Sequence, residues 1–374
     1  MKLVSQLKLL PTPEQTTALK ETMKRANQAC DYISEVAWDT RTFGKFGLQK
    51  LVYGHVKETF SLTAQVVIRC ISKVADAYKL DKKTKRTFKP LGAISYDSRI
   101  LRYKLSKGVV SIWTVDGRAD VAFTCGKRQW ELLQSQQGES DLAFVRGSFY
   151  LLATCEVETP TPDDVEGVLG VDLGINNIAS TSDGEKMSGA HVKSVRHRNR
   201  RLRTKLQKKG TRSAKRKLRS RSGRESRFSS DTNHVIAKRI VETAKRTKRA
   251  IALEQLKGIR QRVRAKRPQR ATLHSWAFAE LGEYIQYKAA LAGVPVIFVD
   301  PRNTSKGCSK CGHIAKANRP SQAVFKCQEC GFALHADLNA ARNIRDRARV
   351  MPPNVSENGS KSVHAALQEQ APRL

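Results

Sequence analysis

The sequence predicts a multidomain protein of α/β and β class: a small N-terminal β-barrel with a helical insertion after its first strand, then an α/β domain interrupted by a cysteine-rich insertion. Three observations predict it. Residues 97–158 are a run of short β-rich segments separated by Gly, Ser and charged turns. From 167 onward, apolar strands alternate with helical patterns. Four of the eight cysteines fall in two Cys-x-x-Cys pairs between 308 and 330. A chain of 374 residues has room for two or three such domains.

The elements follow in chain order. "KLVSQLKL" (2–9) alternates as a strand. In "PTPEQ", Thr12 is placed to cap a helix, Pro13 takes its first position and Gln15 completes a capping box, so a helix runs from 13 into the 30s. A second helical region spans 48–79, where Leu48, Leu51, Val52, Val56, Phe60, Val67, Ile71 and Val74 keep helical spacing. "RILRYKL", "VVSIWTV", "ADVAFTC" and "SFYLLATCEVE" are the barrel strands, and "TPTPDD" (159–164) is a linker. "VLGVD", "NIASTSD" and "EKMSG" then read as three strands. "SSDTNHVIAKRIVETAKR" (229–246) is an amphipathic helix, "AIALE" a strand, "LHSWAFAELGEYIQYKAALAG" a helix stopped by Gly293, and "VPVIFVD" a strand. "ADLNAARNIRDRARV" is the last helix, and 351–374 reads as a disordered tail.

Charge names the class of partner. With 69 Lys and Arg against 34 Asp and Glu, the formal net charge is +35, which calls for a polyanion. Between Lys186 and Arg224 there are 17 Lys/Arg and no acid in 39 residues. The candidate phosphate contacts in this run are Arg198, Arg200, Arg201, Arg203, Lys205, Lys208, Lys209, Arg212, Lys215, Arg216 and Lys217. Only thin helices are expected there, because Leu202, Leu206 and Leu218 are its few apolar anchors. No apolar run approaches the ~18 residues of a membrane span, and Gln6 and Lys8 break any signal-peptide core, so the chain reads as intracellular with no membrane partner. Aromatic residues make up 6%, which argues against single-strand binding by stacking alone.

Cys308-x2-Cys311 and Cys327-x2-Cys330 have the spacing of a site holding one Zn²⁺ through four thiolates. Such a closed tetrahedral shell is structural, and its binding energy folds a short segment. Gly312 and Gly331 follow the pairs and suit tight knuckles; His313 and His335 stand as alternative ligands. Cys30, Cys70, Cys125 and Cys155 read as small buried hydrophobes.

Without the cysteine insertion, the second half reads strand, strand, strand, helix, strand, helix, strand, helix, the RNase H-like order. Folds of that order carry carboxylates on the first strand, the fourth strand and a late helix, and one acid stands at each place: Asp172, Glu254 and Asp337. Each has a plainer alternative, as a turn residue, a charged strand end and a helix N-cap respectively. Together they suit two Mg²⁺ ions, hard cations that prefer oxygen ligands and promote phosphodiester hydrolysis as a pair ~3.5–4 Å apart.

"GVDLGINNIAST", "IALEQLKGI", "SWAFAELGEYIQYKA", "VDPRNTSKGCSKCG" and "ADLNAARNI" together resemble the TnpB family of insertion-sequence-encoded proteins, the group ancestral to the compact type V CRISPR effectors. The match is specific from about 167 to 349 and looser over the first 160 residues. The resemblance implies an RNA-guided DNA endonuclease of a prokaryotic transposable element, cytoplasmic and nucleoid-associated. Its partners are a noncoding guide RNA from the element's end and double-stranded target DNA with a short adjacent motif; the oligomeric state is open, with a monomer favoured. It implies a wedge-like barrel at 1–10 and 90–160, a helical recognition insertion at 11–89, a RuvC-like nuclease domain at 165–306 and 332–350, and a zinc ribbon at 307–331. The family's acids map onto Asp172, Glu254 and Asp337, and its zinc ligands onto Cys308, Cys311, Cys327 and Cys330. No HNH-like His/Asn cluster is present, so one site would cut both strands in turn. Competing readings are an RNA-guided repressor without cleavage, a guide-independent structure-specific nuclease and a catalytic transposase.

Overall fold

A computed structural model describes residues 1–256 and 278–350. The chain divides into two compact units, with the boundary between Val157 and Glu158.

The first unit is a seven-stranded antiparallel sheet with helices attached. β1 (Lys2–Leu10) sits at its centre, between β7 (Ser148–Glu156) and β5 (Gly117–Thr124), in the order β2-β6-β7-β1-β5-β4-β3. The flanking strands are β2 (Ile94–Tyr96), β3 (Leu101–Lys104), β4 (Val109–Thr114) and β6 (Gln136–Val145). The sheet curls until its ends nearly meet: the Tyr103 hydroxyl on β3 bonds Ser140 Oγ on β6 at 2.8 Å, and the Tyr96 hydroxyl on β2 donates to the Trp113 carbonyl on β4 at 3.1 Å. It is a nearly closed barrel, as expected. α1 (Pro13–Asp39) opens with the anticipated capping box, Thr12 and Gln15 each bonding the other's backbone N–H.

Two expectations fail here. The single helical region at 48–79 is two helices, α2 (Lys45–Thr59) and α3 (Ala64–Leu80). The chain reverses between them through Ser61 at φ +50, while Leu62 is buried in the turn. Apolar spacing continues across a break when the turn itself buries a leucine, so periodicity cannot see it. β6 was also not anticipated, nor was the short helix α4 (Lys127–Leu133). The first half of β6, "QQGESD", carries no β-branched residue, and its register to β7 shifts between Gln136 and Ser140.

The second unit holds a five-stranded mixed sheet, β10-β9-β8-β11-β12. β8 (Gly167–Leu173) pairs antiparallel with β9 (Asn177–Thr181), which pairs with β10 (Lys186–Ser188); β8, β11 (Arg249–Glu254) and β12 (Val296–Val299) run parallel. Alternation sends Leu169, Val171, Ile251 and Leu253 to one face, where they join Ile236, Ile240, Leu281 and Ile285 from the helices of that side. Val168, Ala250, Ala252, Ile297 and Val299 point to the other and pack against Ile344 and Ala348.

The basic run is helical with few apolar anchors, and its helices are longer than the spacing suggests. It forms α5 (Ala190–Lys209) and the first part of α6 (Arg212–Arg246), so the helix expected at 229–246 is the second half of a 35-residue one. Gly210, in the left-handed region at φ +65, ends α5; the Thr211 hydroxyl accepts from the Ala214 N–H and starts α6. α7 is described from Phe278 to Ala292; the earlier part of its expected span lies outside the described residues, as does the tail at 351–374. No helix of the described residues is long and apolar enough to cross a membrane. α8 (Ala336–Arg349) is the last element, reached through β13 (Val324–Lys326) and β14 (Ala333–His335), which pair with each other.

Candidate functional site

The sheet brings two of the three acids together by register alone. β8 and β11 run parallel with Val171 beside Leu253, so the next residues, Asp172 and Glu254, are neighbours. Alternation puts Asp172 on the face of Val168 and Glu254 on that of Ala252, the face covered by α8.

The helix brings the third. Gly170 lies directly under α8: a Cβ there would stand 2.7 Å from the Arg345 amide nitrogen and closer still to the Ala341 carbonyl oxygen. Val168, earlier on the strand, packs with Ile344 and Ala348, later on the helix, so the two run antiparallel. Four residues back along the helix is about 6 Å, and two residues forward along the strand is about 6.6 Å. Asp337 therefore arrives over Asp172. Gly170→Ala is expected to lift α8 and lower any activity that needs the three acids by about 100-fold or more, while the four-cysteine cluster stays intact. Equal activity in the variant would refute the close-approach argument.

The electrostatics agree. Burial, then the charges of Glu254 and Asp337, push the Asp172 carboxyl up to about 8, against an opposing effect of Arg319. Burial also raises Glu254, offset by the Thr304 hydroxyl and by Arg347. The three acids are looser than a closed ligand shell: among the described residues, only the four cysteines have ligand atoms all within 4.8 Å of one another.

Asp337 is not the cap of its helix. His335 is, with Nδ1 accepting from the Asp337 N–H at 3.2 Å. The Asp337 carboxylate is left to accept from Asn177 Nδ2 at 2.8 Å and to face the Arg319 guanidinium at 3.6 Å. Glu254 accepts from the buried Thr304 hydroxyl. Asn177, Thr304 and Arg319 were missed from sequence. Each is an ordinary polar residue in a loop or at a strand end and reaches its acid only through the tertiary fold, so no local pattern marks it.

The cysteines form the second centre. Cys308 and Cys330 Sγ lie 3.7 Å apart, and Cys311 and Cys327 Sγ 3.6 Å. Four sulfurs ~2.3 Å from a central Zn²⁺ at the corners of a tetrahedron would be ~3.8 Å apart, so the cluster could hold zinc. Both knuckles have one plan: Gly312 and Gly331 donate to the Cys308 and Cys327 carbonyls, and both glycines have positive φ, +77 and +68. N–H groups of Cys330 and Glu329 hold the Cys327 thiol below its usual range, while hydrogen bonds with the other cysteines push Cys311 above it, so the clustered thiols share their protons unevenly. His335 is engaged as a helix cap, and neither histidine belongs to the cluster.

Three asparagines, two of them fully buried, join the cysteine segment to the acids. Asn318 donates to the Lys306 and His313 carbonyls and accepts from the Gln328 N–H, tying the two knuckles together, and its neighbour is Arg319. Asn339 on α8 accepts from the Ser309 N–H and donates to the Gly307 carbonyl; Asn343 donates to the carbonyls of Thr304 and Gly307.

All eleven basic residues singled out from the sequence are exposed on α5 and α6. The two helices are joined by Arg221 to Asn199 at 2.7 Å and by an ion pair from Arg203 to Glu225. With that exception, no ion pair is recorded for the eleven among the described residues, and the helices present a cationic ridge suited to phosphates.

Comparison with known proteins gives the site its context. Residues 153–257 match a family described as "Probable transposase", and residues 278–344 match "Cas12f1-like, TNB domain". A CRISPR-associated endodeoxyribonuclease Cas12f1 of Sulfoacidibacillus thermotolerans is 32% identical over 219 residues, 53% of this chain and 50% of that protein. The chain thus spans half the length of that relative. A TnpB-like protein of Methanocaldococcus jannaschii is 30% identical over 195 residues, 49% of this chain and 69% of that protein. A Cas12f1–sgRNA–target DNA complex has a similar multidomain α/β fold, with a TM-score of 0.57 at 16% identity over 87% of this chain and 82% of that one.

Proposed function

We propose that this chain, which belongs to the TnpB family, is a DNA endonuclease of a transposable element directed by a noncoding guide RNA. The convergence of Asp172, Glu254 and Asp337 from two strands and a helix onto one face carries the reading.

The site fits divalent cations. Carboxylates that share a partly buried pocket and raise one another's proton affinity are the donor set a hard cation relieves. Asp172, Glu254 and Asp337 would hold two Mg²⁺ ions, which supply an activated water and stabilise the leaving oxygen in phosphodiester hydrolysis. The chain's own groups prepare that site. Thr304 fixes one oxygen of Glu254, Asn177 one oxygen of Asp337, and Arg319 adds a positive charge where the scissile phosphate would bring negative charge.

In this reading, 165–306 and 332–350 form a RuvC-like nuclease domain, and 307–331 a zinc ribbon that holds Arg319 and α8 in place. The barrel at 1–10 and 90–160 is the wedge; 11–89 is the recognition insertion, which meets the motif beside the target. The ridge of α5 and α6 tracks a guide–target duplex through its phosphates, leaving specificity to base pairing.

RNA that co-purifies with the chain tests this. Sequencing is expected to return one dominant noncoding species, and its affinity should fall steeply with salt. Charge reversal of Arg200, Arg201, Lys208 and Lys209 should flatten that salt dependence. A purified chain that cuts DNA with no RNA bound would favour a guide-independent nuclease.

A further inference from the structure

One hydroxyl beside the acids has no task in the fold. Among the described residues, four buried side-chain polar atoms lack a hydrogen-bond partner, and Ser180 Oγ is one of them, on a residue 1% exposed. Such groups are uncommon in native proteins and call for an explanation. Ser180 stands on β9 directly opposite Asp172 on β8. In an antiparallel pair, opposed residues share a face with Cβ atoms about 4.5–5.5 Å apart, so the Ser180 side chain lies on the carboxylate side, under α8. The next serine on that face shows what an employed hydroxyl looks like there. Ser182 Oγ accepts from the Gly170 N–H at 3.2 Å and reaches Asp183 Oδ1 at 3.4 Å.

The pattern at the other acids supplies the role. Glu254 is held by Thr304 and Asp337 by Asn177, each a short polar side chain giving one hydrogen bond to one carboxylate oxygen. Among the described residues no side chain donates to Asp172 in that way, yet the unpaired hydroxyl stands opposite it. An ionised carboxylate offers about four lone-pair positions, more than two cations consume.

We infer that Ser180 is the positioning residue of Asp172, its hydroxyl donating to a carboxylate oxygen when that side chain turns to ligate cations. This rests on the metal-dependent nuclease reading. Before cations bind, the hydroxyl is idle and weakens the fold; afterwards it fixes the ligand's orientation. Hydrogen bonds of this outer kind change metal affinity by roughly 10–100-fold. An idle buried hydroxyl, by contrast, costs stability that alanine recovers.

Opposed effects make the test specific. Full-length chain in its RNA complex is titrated with Mn²⁺, free ion being followed by electron paramagnetic resonance, for the wild type, Ser180→Ala, Ser180→Thr and Asp172→Ala. Melting temperature without divalent ions is measured in parallel. Ser180→Ala is expected to melt at the same temperature as wild type or higher, yet to bind Mn²⁺ about tenfold more weakly. Ser180→Thr, which keeps the hydroxyl, should stay within threefold of wild type. If Ser180→Ala binds Mn²⁺ like wild type while Asp172→Ala loses it, the role of Ser180 is overturned and the site stands. If Asp172→Ala also binds like wild type, the nuclease reading itself falls.

Discussion

Asp172→Asn is expected to abolish target cleavage, by at least ~10³-fold or about 4 kcal/mol of transition-state stabilisation, yet to leave RNA binding intact and to make the metal-free protein more stable at alkaline pH. The two effects share one cause. Burial and the charges of Glu254 and Asp337 raise the Asp172 carboxyl to about 8 in the folded chain; an unfolded Asp titrates near ~3.9. The folded state therefore holds a proton between these values that the unfolded state has released. The stability contributed by that proton is complete below about pH 4 and is lost as pH rises through about 8. Asn cannot ionise and escapes the loss. Its advantage over the wild type should widen from pH 5 to pH 8.5, by roughly 2–4 °C in melting temperature for each kcal/mol of repulsion removed. Mg²⁺ should close the gap by stabilising the wild type alone. Glu254→Gln and Asp337→Asn should lose cleavage equally. Melting curves across pH, with and without Mg²⁺, check the stability arm; a wild type and variant that track each other at every pH would show that the carboxylates are not crowded.

Cys327→Ser or Cys330→Ser is expected to abolish zinc binding and cleavage although no cysteine touches the acids. The route runs through the asparagines. Without the cluster, the knuckles joined by Asn318 separate, and Arg319, the next residue, leaves Asp337. The segment Thr304–Ser309, which Asn339 and Asn343 bond to α8, loses its anchor, and with it the hydroxyl on Glu254. Zinc binding in small Cys sites supplies about 10–16 kcal/mol at neutral pH, far more than the few hydrogen bonds that would remain. Zinc content by elemental analysis should fall from about one per chain to none, and the cysteine segment should become sensitive to protease while the N-terminal barrel stays resistant. A zinc-free variant with full cleavage would break the link between the two centres.

The acids were legible because strand ends and helix starts are local features. "VLGVD", "AIALE" and "ADLNAARNI" each announce an element and put an acid at its edge. The cysteine pairs were legible because a four-thiolate shell fixes its spacing. What surrounds the acids was not. Thr304 is 50 residues from Glu254, and Asn177 160 from Asp337. Their partners are chosen by the packing of α8 on β8, which depends on a glycine that looks like any other strand residue. Asp337 was open to being read as a cap because it follows an extended segment; His335 has that place. The long α6 was only half visible, since the apolar stripe that marks its buried part, through Ile236, Ala237, Ile240 and Val241, gives way to arginines where the helix leaves the core.

Asp172, Glu254 and Asp337 are expected to act as one divalent-cation site that cuts DNA chosen by a bound RNA. A programmed cleavage assay decides this. The chain is reconstituted with its co-purified RNA, in native form and with the guide segment replaced, and offered two plasmids, each matching one guide, with Mg²⁺ or with EDTA. Each complex is expected to linearise only its matching plasmid, and only with Mg²⁺; Asp172→Asn is expected to linearise neither. Cleavage that ignores the guide would show that the RNA does not choose the target, and cleavage that persists in EDTA or survives Asp172→Asn would show that these acids and their cations do not cut.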